Sequence, residues 1–280
     1  MQGILIVDKP MDWTSFDVVA KLRGICRQKK IGHTGTLDPD AVGVLPVCLG
    51  NATRLCDMLT DKSKEYEAVL LLGKVTDTQD ISGKVLEEHP VLMEEEQAVE
   101  AVLSFLGSYE QIPPMYSALK VNGKKLYELA RAGKEVERAG RPVEIHQIDI
   151  LSVALPEITF RVACSKGTYI RTLCHDIGRK LGCGGTMKSL KRTRVGTFAI
   201  DDALPLGELE KLAAEGRLEE YVIPADAMFP ELPCLTIRDS FRRLLENGNS
   251  FYSNQVREEL EAVDGIRVAQ AVMERFSPHM

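Results

Sequence analysis

GHTGTLDPDAVGVLPVCLG (Gly32–Gly50) contains one histidine, four glycines and a carboxylate, Asp38, that directly precedes a proline. Glycine and proline at this density predict a constrained loop, which follows a helical pattern upstream. An Asp in such a loop can be a nucleophile, a metal ligand or a turn former that bonds its own backbone. The residues of this segment alone leave these three roles open.

Hydrophobic periodicity around this segment predicts interspersed strands and helices. Ile4–Val7 is typical of a short buried strand, and Thr14 or Ser15 is placed to cap a helix with apolar residues at helical spacing. Further helices are predicted at 52–59, 94–106, 126–131, 169–181 and 206–214, and further strands at 66–72, 84–87, 143–153 and 157–165. Because no strand–helix–strand cadence or GxGxxG fingerprint accompanies them, the pattern favours an α+β fold with a mixed, largely antiparallel sheet and flanking helices.

The charged residues are distributed unevenly along the chain. The 280 residues carry a formal net charge of −6, which by itself does not indicate a nucleic-acid-binding protein. Residues 161–195, however, hold nine basic residues and one acidic residue, and residues 111–145 hold seven basic and four acidic ones. One Lys or Arg alone is typical of a solvated face. The net charge of +8 over residues 161–195 favours a surface that faces phosphate groups.

The cysteines and the apolar runs argue against several classes of protein. Seven cysteines without a CxxC pair support neither a zinc site nor a disulfide framework, so we expect reduced thiols in the cytoplasm. The apolar run Ile4–Val7 is too short for a signal peptide or a transmembrane helix, and no later run approaches that length. We therefore expect a globular protein without membrane association.

Five segments in chain order carry a resemblance to a known family. They are GILIVDKPMDWTS (3–15), GHTGTLDPDAVGVLPVCLG (32–50), KSKEYEAVLLLG (62–73), QIPPMYSALKVNGKKLYELARAG (111–133) and CSKGTYIRTLCHDIG (164–178). With these segments, and with MKSLKRTRVGTF at 187–198, the chain resembles the bacterial tRNA pseudouridine synthase B family. Each segment alone is weakly specific, whereas five in order over residues 3–178 are highly specific.

The resemblance implies a fold and a division into domains. It implies the pseudouridine synthase fold for a catalytic domain at residues 1–224, with an RNA-binding insertion at about 111–145 that closes over the RNA. It also implies a small β-rich RNA-binding domain of the PUA type at residues 225–280. The final residues, GIRVAQAVMERFSPHM, lack the glycine-punctuated closing strands of such a domain, so we expect it to be atypical or incomplete.

The resemblance also implies an activity, the isomerisation of uridine-55 in the TΨC arm of tRNA to pseudouridine. It implies no cofactor and no catalytic metal, the T-arm stem-loop of tRNA as the partner, and no obligate protein partner. Asp38 matches the essential carboxylate of the HTGxLDP motif, and Tyr66 and Arg171 match catalytic residues beside it. The residues implied in substrate or RNA binding are Lys9, His33, Lys120, Lys124, Lys125, Tyr169 and Leu190.

Pseudouridine formation is chemically compatible with a single carboxylate. An N-glycosidic bond breaks, the base turns over and a C–C bond forms at the same sugar carbon. Asp38 can act as a nucleophile at the sugar or as a base, and the residues leave both routes open. Arg171 is the candidate that keeps Asp38 ionised in an apolar pocket, and Tyr66 offers an aromatic face and a phenol for proton transfer. His33 is explained equally well as a base-flipping residue and as a structural histidine.

Two other functions compete with this interpretation. Taken singly, Tyr66 and Leu190 are typical core residues and Arg171 is typical of a surface charge. A non-catalytic RNA-binding or RNA-chaperone protein on the same scaffold would have no need of Asp38. A glycoside-processing enzyme would need two carboxylates that flank the scissile bond, and Asp40 is too close in sequence to assure opposed faces.

Overall fold

Helices and strands are interspersed along the chain in the computed structural model, which describes residues 1–60, 62–121, 123–229, 235–246, 249 and 252–257. The helices are α1 (Ser15–Ile25), α2 (Cys56–Thr60), α3 (Glu95–Leu103), α4 (Leu126–Arg131), α5 (Ile170–Lys180), α6 (Leu206–Ala214) and α7 (Arg242–Glu246). The strands are β1 (Gly3–Lys9), β2 (Ile31–His33), β3 (Ala41–Leu49), β4 (Lys64–Leu72), β5 (Lys74–Thr76), β6 (Val85–Glu88), β7 (Gly107–Gln111), β8 (Lys120–Val121), β9 (Lys124–Lys125), β10 (Arg141–Ala154), β11 (Glu157–Cys164), β12 (Gly185–Val195), β13 (Phe198–Ala199) and β14 (Leu204–Pro205). In the described part of the chain, no helix combines the length and the apolarity needed to cross a membrane.

One mixed sheet of ten strands forms the centre of the molecule. Its main path has the order β14-β1-β3-β12-β4-β11-β10-β7, while β2 pairs with β3 and β13 pairs with β12. Neighbouring strands are antiparallel except at β1 beside β14 and at β3 beside β12. The predicted α+β class, with a mixed and largely antiparallel sheet and flanking helices, is confirmed.

The larger hydrophobic core lies between the sheet and helices α3 and α5. Along β4 the side chains alternate between buried and partly exposed, as expected of a strand with one face on a core. Leu70 of β4 and Phe160 of β11 pack with Leu173 and Ile177 of α5, and all four are fully buried. Each such burial stabilises the fold by about 1.5–3 kcal/mol. This packing fixes α5 against the sheet and thereby positions its polar side chains.

A second core joins α1 and α6 to strands β1 and β3. Val18 and Leu22 of α1 and Leu209 of α6 are buried on this side. The predicted cap of α1 is present, because Thr14 Oγ1 accepts a hydrogen bond from the backbone of Asp17, and the Asp17 carboxylate accepts one from the backbone of Thr14. Helix α1 therefore begins at a fixed point just after β1.

The segment Gly32–Gly50 contains a central strand, so the prediction of a loop along its whole length is wrong. Strand β3 pairs with β1, β2 and β12, and every residue of β3 except Val42 is buried. Gly43 adopts a φ of +102°, and a Cβ there would lie 2.3 Å from the carbonyl oxygen of Arg192. This glycine therefore permits a close approach of two strands and does not mark a turn.

The insertion at 111–145 projects from the sheet edge formed by β7. It leaves from β7 and returns as β10, and these two strands pair with each other. The predicted hairpin is present as β8 and β9, and the predicted short helix, α4, has the expected bounds Leu126–Arg131. Gly133 follows α4 with a φ of +67°, as expected of a glycine after a helix end.

The predicted carboxy-terminal domain at 225–280 lies largely outside the described residues. Within the described part, Ala225, Met228 and Phe229 pack on the core beside Ile4 and Ile6 of β1. The proposed boundary between residues 224 and 225, and the PUA-like character of the residues that follow, therefore stay predictions.

Gly43→Ala tests the close approach of β3 and β12. We expect it to lower the free energy of unfolding by about 2–4 kcal/mol, because the Cβ meets the Arg192 carbonyl and the φ is strained for alanine. Gly207→Ala in α6 is the control, since no atom lies within 4 Å of a Cβ there and alanine favours a helix. Urea unfolding followed by circular dichroism compares the two, and equal midpoints would contradict the expectation.

Candidate active site

The loop between β2 and β3 presents Asp38 and is clamped on both sides. Ser15 at the start of α1 bonds both backbone groups of Leu37, accepting from its nitrogen at 2.9 Å and donating to its oxygen at 3.3 Å. The carbonyl of Pro39 accepts from the backbone nitrogen of Asp12 at 3.0 Å. These bonds tie the loop to the segment between β1 and α1, so the Asp38 carboxylate is held by ordered backbone on each side.

Arg171, the second residue of α5, binds two carboxylates at once. Its Nε lies 3.0 Å from Asp38 Oδ2, and its Nη1 lies 3.3 Å from Asp80 Oδ2. The same guanidinium donates to the carbonyls of Thr78 at 3.1 Å and Tyr116 at 2.9 Å. Arg171 therefore does not grip Asp38 through two parallel bonds. Its fork is divided between Asp38 and Asp80, and its geometry is fixed by two further carbonyls.

The protonation of Asp38 is set by burial and by four neighbouring charges. Its side chain is 42% exposed, yet the surrounding walls desolvate the carboxylate enough to raise its pKa. Arg171 opposes that rise, Asp80 and Asp40 add to it, and Lys9 opposes it more weakly. The net effect is a raised pKa, so Asp38 becomes ionised at a higher pH than an isolated aspartate. Arg171 limits this rise in the pKa.

Tyr66 and Leu190 belong to one core cluster, which also contains Leu37, the residue before Asp38. Tyr66 lies in β4, Leu190 lies in the adjacent strand β12, and both are buried. Burial raises the pKa of Tyr66 to about 12, while the neighbouring Arg192 opposes that rise by its charge and by hydrogen bonding. The charge of Asp38 also raises the pKa of Tyr66, as the weakest of the contributing effects.

Tyr169 stands at the start of α5, two residues before Arg171. A side-chain amide from β7 pins its backbone, since Gln111 Oε1 accepts from the Tyr169 nitrogen at 2.8 Å and Gln111 Nε2 donates to its carbonyl at 3.1 Å. Burial raises the pKa of the Tyr169 phenol, and Asp38 contributes in the same direction. Arg171 thus contacts Asp38 directly, and the phenols of Tyr66 and Tyr169 lie near enough for the charge of Asp38 to act on them, while a catalytic role for these four residues stays a prediction.

His33 and Lys9 flank the loop that carries Asp38. His33 lies at the end of β2, and burial together with the charge of Arg192 lowers its pKa, so the ring is neutral near neutral pH. Lys9 is fully buried, and its Nζ donates to the carbonyls of Trp13 at 2.5 Å and Pro39 at 3.0 Å. This placement does not suit the predicted RNA contact, because Lys9 supports the loop from behind.

The lysines of the insertion lie on the β8–β9 hairpin. Lys120 and Lys124 are exposed, and Lys120 is paired in register with Lys125. Lys125 and Arg131 each lie 5.4 Å from the centre of the Tyr127 ring, which gives the hairpin a mixed basic and aromatic character. The root of the insertion reaches the site through the Tyr116 carbonyl that Arg171 binds, so this basic hairpin is connected to the guanidinium that holds Asp38.

Sequence reasoning did not identify three residues that complete the site. The sequence patterns do not single out Asp80, and they include Gln111 and Arg192 only within the insertion and the basic run. Asp80 is bound by Arg171, Gln111 pins Tyr169, and Arg192 lies beside Tyr66. Each acts through a contact distant in sequence, and no local pattern distinguishes such a residue from an ordinary polar one.

Within the ranges that the structure describes, no group of three His, Cys, Asp or Glu side chains is arranged to hold a metal ion. The expected lack of a metal nevertheless stays a prediction. The chemistry available to the site is that of a carboxylate paired with a guanidinium, near one buried and one half-buried phenol. Such a set can carry nucleophilic or acid–base catalysis on an unsaturated ring.

Comparison with known proteins assigns this fold and site to a class. Residues 23–170 match the model of the TruB family pseudouridylate synthase N-terminal domain, and residues 171–230 match that of the tRNA pseudouridylate synthase B C-terminal domain. The tRNA pseudouridine synthase B of Lachnoclostridium phytofermentans is 53% identical over 281 residues, covering 96% of this chain and 91% of that protein. That of Clostridium tetani is 48% identical over 271 residues, covering 96% of this chain and 92% of that protein.

Solved structures agree with this class. A Cbf5-Nop10-Gar1 complex matches with a TM-score of 0.71 at 30% identity, covering 91% of this chain and 69% of that chain. An H/ACA RNP bound to a substrate RNA containing 2'-deoxyuridine matches with a TM-score of 0.68 at 27% identity, covering 91% of this chain and 69% of that chain. The fold is thus that of the pseudouridine synthases. The chain belongs to the TruB family of pseudouridylate synthases.

Arg171→Met tests the electrostatic pairing in the site. Since Arg171 opposes the upward displacement of the Asp38 pKa, its replacement by an uncharged side chain should raise that pKa further and reduce the ionised fraction near neutral pH. Arg171→Lys keeps the charge and should give a smaller rise. NMR titration of the 13C-labelled carboxyl group measures both, with Arg161→Met on the far strand β11 as the control. An unchanged titration in Arg171→Met would contradict the pairing.

Proposed function

We propose that the chain isomerises uridine-55 in the T-arm of tRNA to pseudouridine. The observation that carries the proposal is the 3.0 Å contact between Arg171 and Asp38 in a site that also holds Tyr66, Tyr169 and Leu190. Membership of the TruB family supports the reaction class, and the names of the bacterial relatives support tRNA as the substrate. The position of the uridine follows from the resemblance of the five segments.

In this proposal Asp38 acts on the sugar of the target nucleotide. Its side chain is 42% exposed and so remains accessible to a ribose, while Arg171 holds the Oδ2 atom. The carboxylate either attacks the anomeric carbon or removes a proton from the sugar, and both routes need the ionised form. Arg171 favours that form, which is why a single carboxylate suffices in a site where burial acts against ionisation.

Tyr66 and Leu190 serve the detached uracil. The ring of Tyr66 and the side chain of Leu190 offer an apolar wall against which the base can turn without hydration. With a pKa raised to about 12, Tyr66 is a neutral phenol at neutral pH. A neutral phenol can pass a proton on in a relay, and C5 must lose its proton once the new C–C bond has formed.

The uridine must leave its stack to reach this site, which costs a few kcal/mol that the binding of the RNA must offset. We assign the flipping of the base, and the binding that offsets its cost, to His33 and to the insertion. A neutral His33 can stack in the gap left by the base, because a lowered pKa removes its charge near neutral pH. Lys120, Lys124 and Lys125 bind the phosphates of the T-arm stem, and the basic hairpin closes over it.

The proposal includes neither a cofactor nor a metal, since the reaction is an isomerisation without net oxidation or hydrolysis. We place the activity in the cytoplasm. The described cysteines support reduced conditions, because Cys26, Cys48, Cys56, Cys164, Cys174 and Cys183 are all free thiols. We also retain a PUA-like contribution of residues 225–280 to RNA affinity, and no obligate protein partner.

Two rival functions make different demands on the site. A glycoside-processing enzyme needs carboxylates on opposite sides of the scissile bond, whereas Asp38 and Asp80 both bind the guanidinium of Arg171. That arrangement disfavours the glycosidase. A non-catalytic RNA-binding protein is disfavoured by the presence of Asp38 with its partner, and a direct assay separates it from the enzyme.

The first test is incubation of the protein with an unmodified tRNA transcript, followed by nucleoside analysis. We expect one pseudouridine per tRNA, at position 55. Asp38→Asn should form none, while its tRNA affinity changes less than about threefold, because phosphate contacts supply most of the binding free energy. Asp40→Asn, two residues along the same loop, is the matched control and should keep most of the activity. Turnover by purified Asp38→Asn above background would exclude Asp38 as nucleophile or base.

The second test concerns the insertion. Reversal of Lys124 and Lys125 to Glu should weaken tRNA binding and reduce the slope of log affinity against log salt by roughly 0.7–0.9 for each phosphate that the hairpin no longer binds. Reversal of Lys21 and Lys211, which pair with acidic residues on α6, changes the net charge equally and is the control. A salt slope that is unchanged by the hairpin reversal would remove the insertion from the RNA interface.

A further inference from the structure

Arg192 is a fully buried cation that lies beside the catalytic tyrosine. It is 1% exposed and stands directly opposite Tyr66 in the pairing of β12 with β4. Its Nε donates to the carbonyl of Val44 at 2.7 Å, and its Nη2 donates to the carbonyl of Gly35 at 3.3 Å. The guanidinium thus lies under the loop that carries Asp38, bonded to neutral backbone on one side and neighbouring a phenol on the other.

The positive charge of Arg192 lacks an acidic partner among the described residues. The ion pairs of the described chain do not include Arg192, and Tyr66 is the titratable group whose charge and hydrogen bonding act on it. Burial of an unpaired ion costs several kcal/mol, and apolar replacements of buried ions are often neutral or stabilising. Fold stability alone therefore does not explain why a guanidinium occupies this place.

The field of Arg192 extends over the site. It lowers the pKa values of His33 and Lys9, and it opposes the rise that burial causes in the pKa of Tyr66. The position of the guanidinium is also fixed, because its Nε and Nη2 bond the carbonyls of Val44 and Gly35. A charge held this firmly can orient one neighbouring group with little freedom to move away.

We propose that Arg192 is a positioning residue that directs the oxygen of Tyr66 toward C5 of the uracil and stabilises negative charge on that oxygen during proton transfer. The inference rests on the proposed function. In the step concerned, Tyr66 Oη takes the proton from C5 while its own proton passes to water. The C5–H electron pair forms the C5=C6 bond, the C6=N1 pair moves onto N1, and N1 takes a proton from water. The step involves no net oxidation or reduction.

The test uses the full chain and a tRNA transcript whose uridines carry deuterium at C5. Arg192→Met should slow single-turnover formation of pseudouridine at saturating tRNA by about ten- to a hundredfold, the effect expected when a hydrogen bond to a charged group is removed. It should also increase the deuterium isotope effect, because removal of the C5 proton becomes the slow step. In the Tyr66→Phe background, Arg192→Met should lower the single-turnover rate by less than about twofold, because the phenol on which Arg192 acts is gone.

A second measurement reads the phenol directly. Optical titration of the tyrosines, compared with Tyr66→Phe to isolate one group, should show a higher pKa for Tyr66 in Arg192→Met, because the opposing charge is removed. Arg192→Lys keeps the charge without the planar fork and should give an intermediate rate with the same isotope signature. Arg194→Lys on the same strand is the control, because Arg194 is partly exposed and pairs with Glu65 at 3.2 Å.

Several outcomes would overturn the inference. A full additional decrease in rate from Arg192→Met in the Tyr66→Phe background would mean that Arg192 acts through the fold or another group. An unchanged isotope effect, or a fully active Arg192→Lys, would have the same consequence. If thermal melting shows that Arg192→Met is unfolded at the assay temperature, the rate, isotope effect and tyrosine titration of Arg192→Lys test the inference instead. Failure of the proposed function is recognised separately, because then the wild-type chain itself forms no pseudouridine.

Discussion

The guanidinium of Arg171 joins three parts of the chain that are distant in sequence. It binds Asp38 from the loop after β2, Asp80 and the Thr78 carbonyl from the turn after β5, and the Tyr116 carbonyl from the insertion. Helix α5 can present Arg171 at this point because its other face is packed against β4 and β11. A buried ion pair is costly to break, since removal of one partner leaves the other charge uncompensated. One side chain thus links the loop of Asp38, the turn after β5 and the insertion.

Charge balance explains much of the remaining architecture. Asp38, Asp40 and Asp80 together carry more charge than Arg171 can balance, and Lys9 supplies part of the compensation for Asp38. Burial lowers the pKa of Lys9 to about 8 even with Asp38, Asp40 and Asp12 nearby, so its own charge is weakly held. The loop is consequently stabilised by backbone hydrogen bonds to Lys9 as much as by its charge.

Local signals in the sequence predicted much of the fold. The capped helix α1, the helix α4 and the strands β4 and β11 were recoverable from periodicity and capping residues, because those signals lie within a dozen neighbouring positions. Strand β3 was not, since Gly43 and Pro46 resemble turn residues and the reason for Gly43 is its close approach to Arg192. The carboxy-terminal prediction lies largely outside the described residues.

For the candidate site, the sequence identified several of the residues but not the contacts between them. Asp38, Tyr66, Tyr169 and Arg171 lie in motifs that the family resemblance carries, and the structure brings them together. Whether Arg171 holds Asp38 with two bonds or divides its fork was not readable from sequence, because Asp80 enters the site from a turn formed by an unrelated stretch. The burial of Lys9 was likewise hidden, since a lysine in a sequence carries no sign of which way it points.

The bond from Arg171 to the carbonyl of Tyr116 couples the insertion mechanically to the pair of Asp38 and Arg171. A hydrogen bond of 2.9 Å breaks when its partners separate by much more than about half an ångström. Any rigid displacement of the insertion beyond that distance must either move the guanidinium or leave one of its donors unpaired. The orientation of the reactive carboxylate and the position of a loop that emerges from the far edge of the sheet are therefore not independent variables. An insertion of different length or stiffness grafted at this point would also shift the guanidinium that holds Asp38.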